Sequence, residues 1–209
     1  MSKSNLPETK EVFHRVKNNL QVMSSLVELQ LMEAGNQEVR AALDEVIGRL
    51  QVFVVIYRQL LPDEGFAAVE FGNVVKELWQ ARVASQSILS DPSLINVDVP
   101  DLILTLEIAI PMALVINELI TISSQSDPAG QQNREISIQY LDRKDEKHRI
   151  MYRDSALRSI AGGAESSKED TFGRRLISGL SHQIGGSVSF PDAEADHFIV
   201  TFASKRIRE

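Results

Sequence analysis

The residues of this chain best suited to chemistry stand together near its start, in E-V-F-H-R-V-K-N-N-L-Q, residues 11–21. His14 carries an imidazole, which is a competent nucleophile near pH 7. Lys17 and Asn18 follow at three and four residues, so on a helix they share its face. A phosphoryl group in transfer needs an in-line nucleophile and compensating charge. Lys17, with Arg15 nearby, can supply that charge, and Asn18 can orient the ring or a water. His14 is therefore a candidate phosphoryl carrier. Taken alone, a helical histidine is more commonly a solvated surface residue, and His148, His182 and His197 are read that way.

The elements that must position His14 are legible from periodicity. Phe13, Val16, Leu20, Met23 and Val27 follow at steps of 3, 4, 3 and 4, the seam of a helix in a bundle. The spacing predicts a helix from Pro7 to Ala34, with Gly35–Asn36 as C-cap and turn. A second helix is predicted from Gln37 to Leu61, carrying Val39, Leu43, Val46, Leu50, Phe53, Tyr57 and Leu60, and ended by Pro62. At roughly 1.5 Å per residue each is about 40 Å long, and the two form an antiparallel hairpin. Leu26 and Leu29 widen the apolar face of the first helix, and Val52, Val54 and Ile56 that of the second. A homodimer forming a four-helix bundle would bury these faces. The alternative is that they pack on the chain's own C-terminal half.

After Gly65 the pattern changes. Short strands are predicted at 68–71, 94–99, 135–141, 149–153, 187–190 and 197–202. Helices are predicted at 73–87, 108–124 and 171–184, the last closed by Gly185-Gly186. Ser159 to Asp170, with Gly162-Gly163, reads as a loop. This is an α+β arrangement, a mostly antiparallel sheet with three helices on one face. Residues 1–64 form the hairpin domain and 65–209 the second domain.

Composition narrows the partners. The 209 residues are 43% hydrophobic and 24% charged, with a net charge of −7. An acidic balance argues against nucleic acid or an anionic membrane. The absence of cysteine excludes thiol chemistry. The N-terminus lacks a signal-peptide core, and the apolar run 102–120 contains Glu107, Pro111, Asn117 and Glu118. A cytoplasmic protein without a membrane span is expected.

F-H-R-V-K-N-N-L-Q-V-M-S-S-L-V-E-L-Q resembles the phosphoacceptor box of two-component histidine kinases, in the subfamily whose box reads H-R-V-K-N-N-L-Q. I-P-M-A-L-V-I-N-E-L-I-T-I-S-S-Q resembles the asparagine box of the ATPase module behind such a hairpin, and T-F-G-R-R-L-I-S-G-L-S-H-Q-I-G-G-S-V its glycine-containing helix and following strand. The resemblance spans about Glu11 to Phe202. It implies a dimeric hairpin followed by a histidine-kinase-like ATPase α/β sandwich, with Asn117, Glu118, Asp154 and Gly173 as remnants of a nucleotide site.

The departures cluster at that site. Ile122 stands where the family carries an asparagine that helps hold Mg²⁺. Asp154 keeps the aspartate of the family's D-x-G-x-G, but Ala156 and Arg158 replace its glycines. Thr171-Phe172-Gly173 keeps one glycine of a pair. Loss of ATP binding is therefore expected, with no cofactor of the chain's own, no metal site, and Mg²⁺ supplied by a partner receiver domain. The expected function is a histidine phosphotransferase that relays phosphate between response-regulator receiver domains through His14, assisted by Arg15, Lys17 and Asn18. The alternatives are an active soluble kinase that autophosphorylates His14 from ATP, and a non-catalytic regulator-binding protein.

Overall fold

A computed structural model describes residues 6–60, 67–86, 95–100, 102–126, 135–155, 172–191 and 197–203. Leu61 to Gly65, Ala156 to Arg158, the expected loop at 159–170 and Thr171 lie outside the described residues. The chain opens with α1 (Leu6–Glu33) and α2 (Gln37–Arg58), packed as a hairpin. Phe13 and Tyr57 fix its register, with ring centroids 5.9 Å apart. The turn differs from expectation. Gly35 does not take a left-handed φ; Asn36 instead caps α2, its Oδ1 accepting the Glu38 N–H at 2.7 Å.

The second half begins with β1 (Ala68–Glu70) and α3 (Phe71–Gln86). Then come β2 (Ile95–Asp98), β3 (Ile103–Thr105) and α4 (Leu106–Ser126). The hairpin β4 (Ile136–Lys144) and β5 (Lys147–Asp154) follows. The chain closes with α5 (Phe172–Gln183), β6 (Ser187–Ser189) and β7 (His197–Ala203). Strand β3 escapes the sequence reading because its three residues are too short to show a period.

The main sheet runs β2-β4-β5-β7-β6, with β2 parallel to β4 and every other pair antiparallel; β1 and β3 form a separate antiparallel pair. One face of the main sheet lies under the helices. Ile136 and Ile138, then Ile150 and Tyr152, then Phe198, Val200 and Phe202 are buried there, while their alternate neighbours are more exposed. Helix α4 is the centre of this layer, packed against α2, α3 and α5. It is long and apolar enough to cross a membrane by length and composition, but 72% of that stretch is buried inside the protein. Gly185 ends α5 with a φ of 69°, and Gly186 presses on the backbone of Thr201, where a Cβ would stand 1.7 Å from the carbonyl oxygen.

The wide apolar faces of the hairpin divide between two fates. Val52, Val54, Val55 and Ile56 of α2 are buried, and Val52, Val55 and Ile56 join the core of the chain's own second half. The expectation that a second copy covers this face is corrected: a core made by α3 and α4 already does. Leu26 and Leu29 of α1 stay exposed, and so do Met23, Val39 and Val46 from the expected seam.

Candidate functional site

His14 is exposed on α1. Arg15, also exposed, pairs with Glu11 at 2.6 Å. Lys17 is half-buried and Asn18 exposed. The box thus presents an open imidazole flanked by a cation and an amide, beside the Phe13–Tyr57 contact that ties α1 to the end of α2.

A second polar cluster lies where α2 crosses α4. Asn117 and Glu118 are each 2% exposed. Arg49 of α2 donates to both oxygens of Glu118, Nε to Oε1 at 3.0 Å and Nη2 to Oε2 at 2.9 Å. Its Nη2 also donates to Glu45 at 3.0 Å. Asn117 Nδ2 reaches Glu118 Oε1 at 3.3 Å. The hydrogen bond to Glu118 raises the pKa of Arg49, so the guanidinium is firmly charged. Arg49 also sits over the ring of Phe172, 5.0 Å from its centroid, at the start of α5.

Arg82 of α3 completes the cluster. It is buried, and its Nη2 donates to Thr121 Oγ1 at 2.8 Å, while Thr121 donates to the Asn117 carbonyl at 3.0 Å. Asp44 of α2 lies 3.6 Å from its Nη1. Burial lowers its pKa, but an arginine stays protonated in proteins. Gly48 makes the helix crossing close: a Cβ there would stand 2.9 Å from Arg82 Nη1 and 3.3 Å from Asn117 Oδ1.

Of the expected nucleotide-site residues, Asn117, Glu118 and Gly173 come together. A Cβ on Gly173 would be 3.6 Å from Glu118 Oε2 and 3.9 Å from Ile122 Cδ1. Asp154 is fully buried on the helix-covered face of β5. A magnesium ion needs several oxygen ligands. Here the Glu118 carboxylate is held at both oxygens by Arg49, and Ile122 offers a methyl group. The donor set in this arrangement does not fit Mg²⁺, and among the described residues no other group of three or more His, Asp or Glu side chains could hold a metal.

His14 is not brought to this cluster. Glu118 meets the hairpin at Arg49, whereas the His14 end of α1 is level with Tyr57. That is about 12 Å further along α2.

The sequence reading missed Arg49, Arg82, Gly48 and Phe172. Signals existed for two of them. Arg82 falls in the buried stripe Val75, Leu78, Trp79 of α3, and a glycine inside a helix marks a close approach. One of the histidines needs a correction. His148 is not a surface residue: it is buried, its Nδ1 3.0 Å from the Tyr140 hydroxyl and its ring stacked on Phe202 at 5.1 Å.

Comparison with known proteins agrees with the architecture. Residues 11–86 match the family model described as histidine kinase. Over 194 residues, 88% of the chain, it is 27% identical to the sensor histidine kinase PdtaS of Mycobacterium tuberculosis. It spans only about a third, 36%, of the length of that curated relative. Among solved structures, the histidine kinase domain of the Erythrobacter litoralis EL346 blue-light activated histidine kinase superposes with a TM-score of 0.60 at 18% identity, covering 91% of this chain and 89% of that one. The longer EL346 structure gives a TM-score of 0.60 at 15% identity, covering all of this chain and 66% of that one.

A helical hairpin that carries a phosphoacceptor-type box and is backed by an ATPase-like sheet domain defines a class of two-component signalling protein. Over residues 11–86 this chain matches the histidine-kinase family model, and its fold is similar to that of a histidine kinase domain. The dedicated phosphotransferase expected from the sequence is corrected by these matches, which are to sensor histidine kinases. That expectation weighed changes at a few positions of one site. The described residues around them keep the fold of such a module, which supports catalytic potential.

Proposed function

We propose that the chain is an autophosphorylating histidine kinase in which His14 takes the γ-phosphoryl group of ATP. The observation that carries this reading is a histidine-kinase-type hairpin with an exposed His14, joined in one chain to an ATPase-like domain. An imidazole nitrogen attacks the γ-phosphorus as the bond to the ADP oxygen breaks. ADP leaves with that electron pair, and the ring loses a proton to solvent. Lys17 offsets the charge of the phosphoryl group, and Asn18 orients the ring. Asn117, Glu118, Asp154 and Gly173 form the nucleotide side. The partners are receiver domains that take the phosphoryl group from His14, and a second copy of the chain.

The test is incubation with γ-labelled ATP and Mg²⁺. Acid-labile label is expected on the wild type and none on His14→Gln. Equal labelling of the two proteins, or no label at millimolar nucleotide, overturns the proposal.

A further inference from the structure

Two features that each cost stability meet beside Asn117. The first is Arg82 of α3. Its neighbours along that helix, Val75, Leu78 and Trp79, are buried hydrophobic residues, and Arg82 itself is 5% exposed. A hydrocarbon side chain there would avoid the desolvation of a guanidinium, and exchanging buried ionic groups for well-packed hydrophobic ones is often neutral or stabilising. The second is Gly48, a glycine in the interior of α2, where alanine forms the stronger helix. The space left open at Gly48 is shared by Arg82 Nη1 and Asn117 Oδ1: a Cβ would stand 2.9 Å from the first and 3.3 Å from the second. Departures from stable packing that coincide at one place are expected at functional sites.

The hydrogen bonds of the guanidinium define its role. Its Nη2 donates to Thr121 Oγ1 at 2.8 Å. A hydroxyl that accepts from a cation turns its own proton away, and Thr121 gives that proton to the Asn117 carbonyl at 3.0 Å, one turn back on α4. The relay Arg82–Thr121–Asn117 therefore fixes from α3 the turn of α4 that carries Asn117 and Glu118. Asn117 is held at its side chain too, Nδ2 donating to Glu118 Oε1 at 3.3 Å. Asp44 of α2, 3.6 Å from Nη1, offsets the charge of Arg82, and its own side chain is 37% exposed, so water can serve it if Arg82 is removed.

From this we infer that Arg82 is a positioning residue: acting through Thr121, it sets the turn of α4 on which the nucleotide side is built, without meeting the nucleotide itself. The inference rests on the kinase reading above, in which Asn117 and Glu118 belong to the nucleotide side.

The experiment uses the full chain and its Thr121→Val, Thr121→Ser and Arg82→Met variants, with the double variant Arg82→Met, Thr121→Val. Thr121→Val keeps the shape of the side chain and removes only the hydroxyl, so it tests the relay even if Arg82→Met does not fold. One readout is the exchange rate of the Asn117 side-chain amide protons by NMR, which needs no nucleotide. The other is the ATP concentration that gives half-maximal labelling of His14. Thr121→Val should quicken the amide exchange and raise the half-saturating ATP about tenfold, with the maximal rate within about twofold of the wild type. Thr121→Ser should restore both. Arg82→Met should match Thr121→Val, and the double variant should be no worse than either, because all of them break the same relay. Half-saturating ATP unchanged in Thr121→Val overturns the inference. So does a double variant whose losses multiply, because Arg82 would then act by another route. If the wild type takes no label, the kinase reading has failed and takes the nucleotide role of Arg82 with it. Quickened amide exchange in Thr121→Val would then place the failure in that reading alone, and unchanged exchange would place it in the relay as well.

Discussion

At the scale of single residues, the most instructive side chain is one that takes no part in phosphate chemistry. His148 opens a core-facing series, His148, Ile150, Tyr152 and Asp154, on β5. The alternation is plain in the sequence, but a strand started at Arg149 leaves the histidine outside it. One residue of boundary decides whether the ring is solvated or packed. Burial lowers its pKa below the ordinary value of 6.5, with Arg143 adding to the effect. The folded state thus holds His148 neutral, while the unfolded chain takes up a proton as pH falls through about 6.5. The stability this contributes is complete above 6.5 and is lost as pH falls toward the lower folded value. Replacing it with His148→Phe should flatten the decline in thermal midpoint between pH 7 and 5. Parallel slopes for the two proteins would show that other groups carry the acid sensitivity. The Arg49–Glu118 pair marks the opposite limit of legibility. Its partners are separated by the end of α2, all of α3 and half of α4, and no local pattern joins them.

At the scale of elements, the seam of α2 was legible as a helix but its second face was ambiguous. Val52, Val55 and Ile56 look the same in sequence whether they meet another chain or the same one. The structure assigns them to a core shared with α3 and α4. The hairpin and the sheet domain should therefore unfold as coupled units. Ile56→Ala removes a fully buried side chain and should cost roughly 2–4 kcal/mol. Trp79 is the chain's single tryptophan and is buried in α3, so its fluorescence in a urea titration reports on the second half. The midpoint at Trp79 should fall although the substitution lies in the hairpin. Val46→Ala, on the exposed side of the same helix, should move it little. An unmoved Trp79 transition in Ile56→Ala would mean that the halves are thermodynamically separate.

At the scale of the whole molecule, what remains unsatisfied is the outer face of the hairpin. Val22, Leu26 and Leu29 stand at the i, i+4, i+7 spacing of one helical stripe on α1, and Met32 extends it at 75% exposure. Val39 and Val46, a heptad apart on α2, are exposed toward the same turn end of the hairpin. Large apolar side chains in an unbroken stripe are uncommon on a monomer's surface, and each fully covered one contributes about 1.5–3 kcal/mol. Because α2's inner face is already taken by the second half, a partner must approach from this outer side. A second copy offers the same stripe in return, which a two-fold contact requires. At tens of micromolar the protein should then scatter light as twice its 23.3 kDa chain. The double substitution Leu26→Glu with Leu29→Glu should return it to one chain mass with its helical circular dichroism intact. It would place like charges opposite one another across the two-fold axis while leaving the α1–α2 contact at Phe13 and Tyr57 alone. A wild type that runs as a single chain at that concentration would leave the stripe without a second copy, and the homodimer proposal would fail with it.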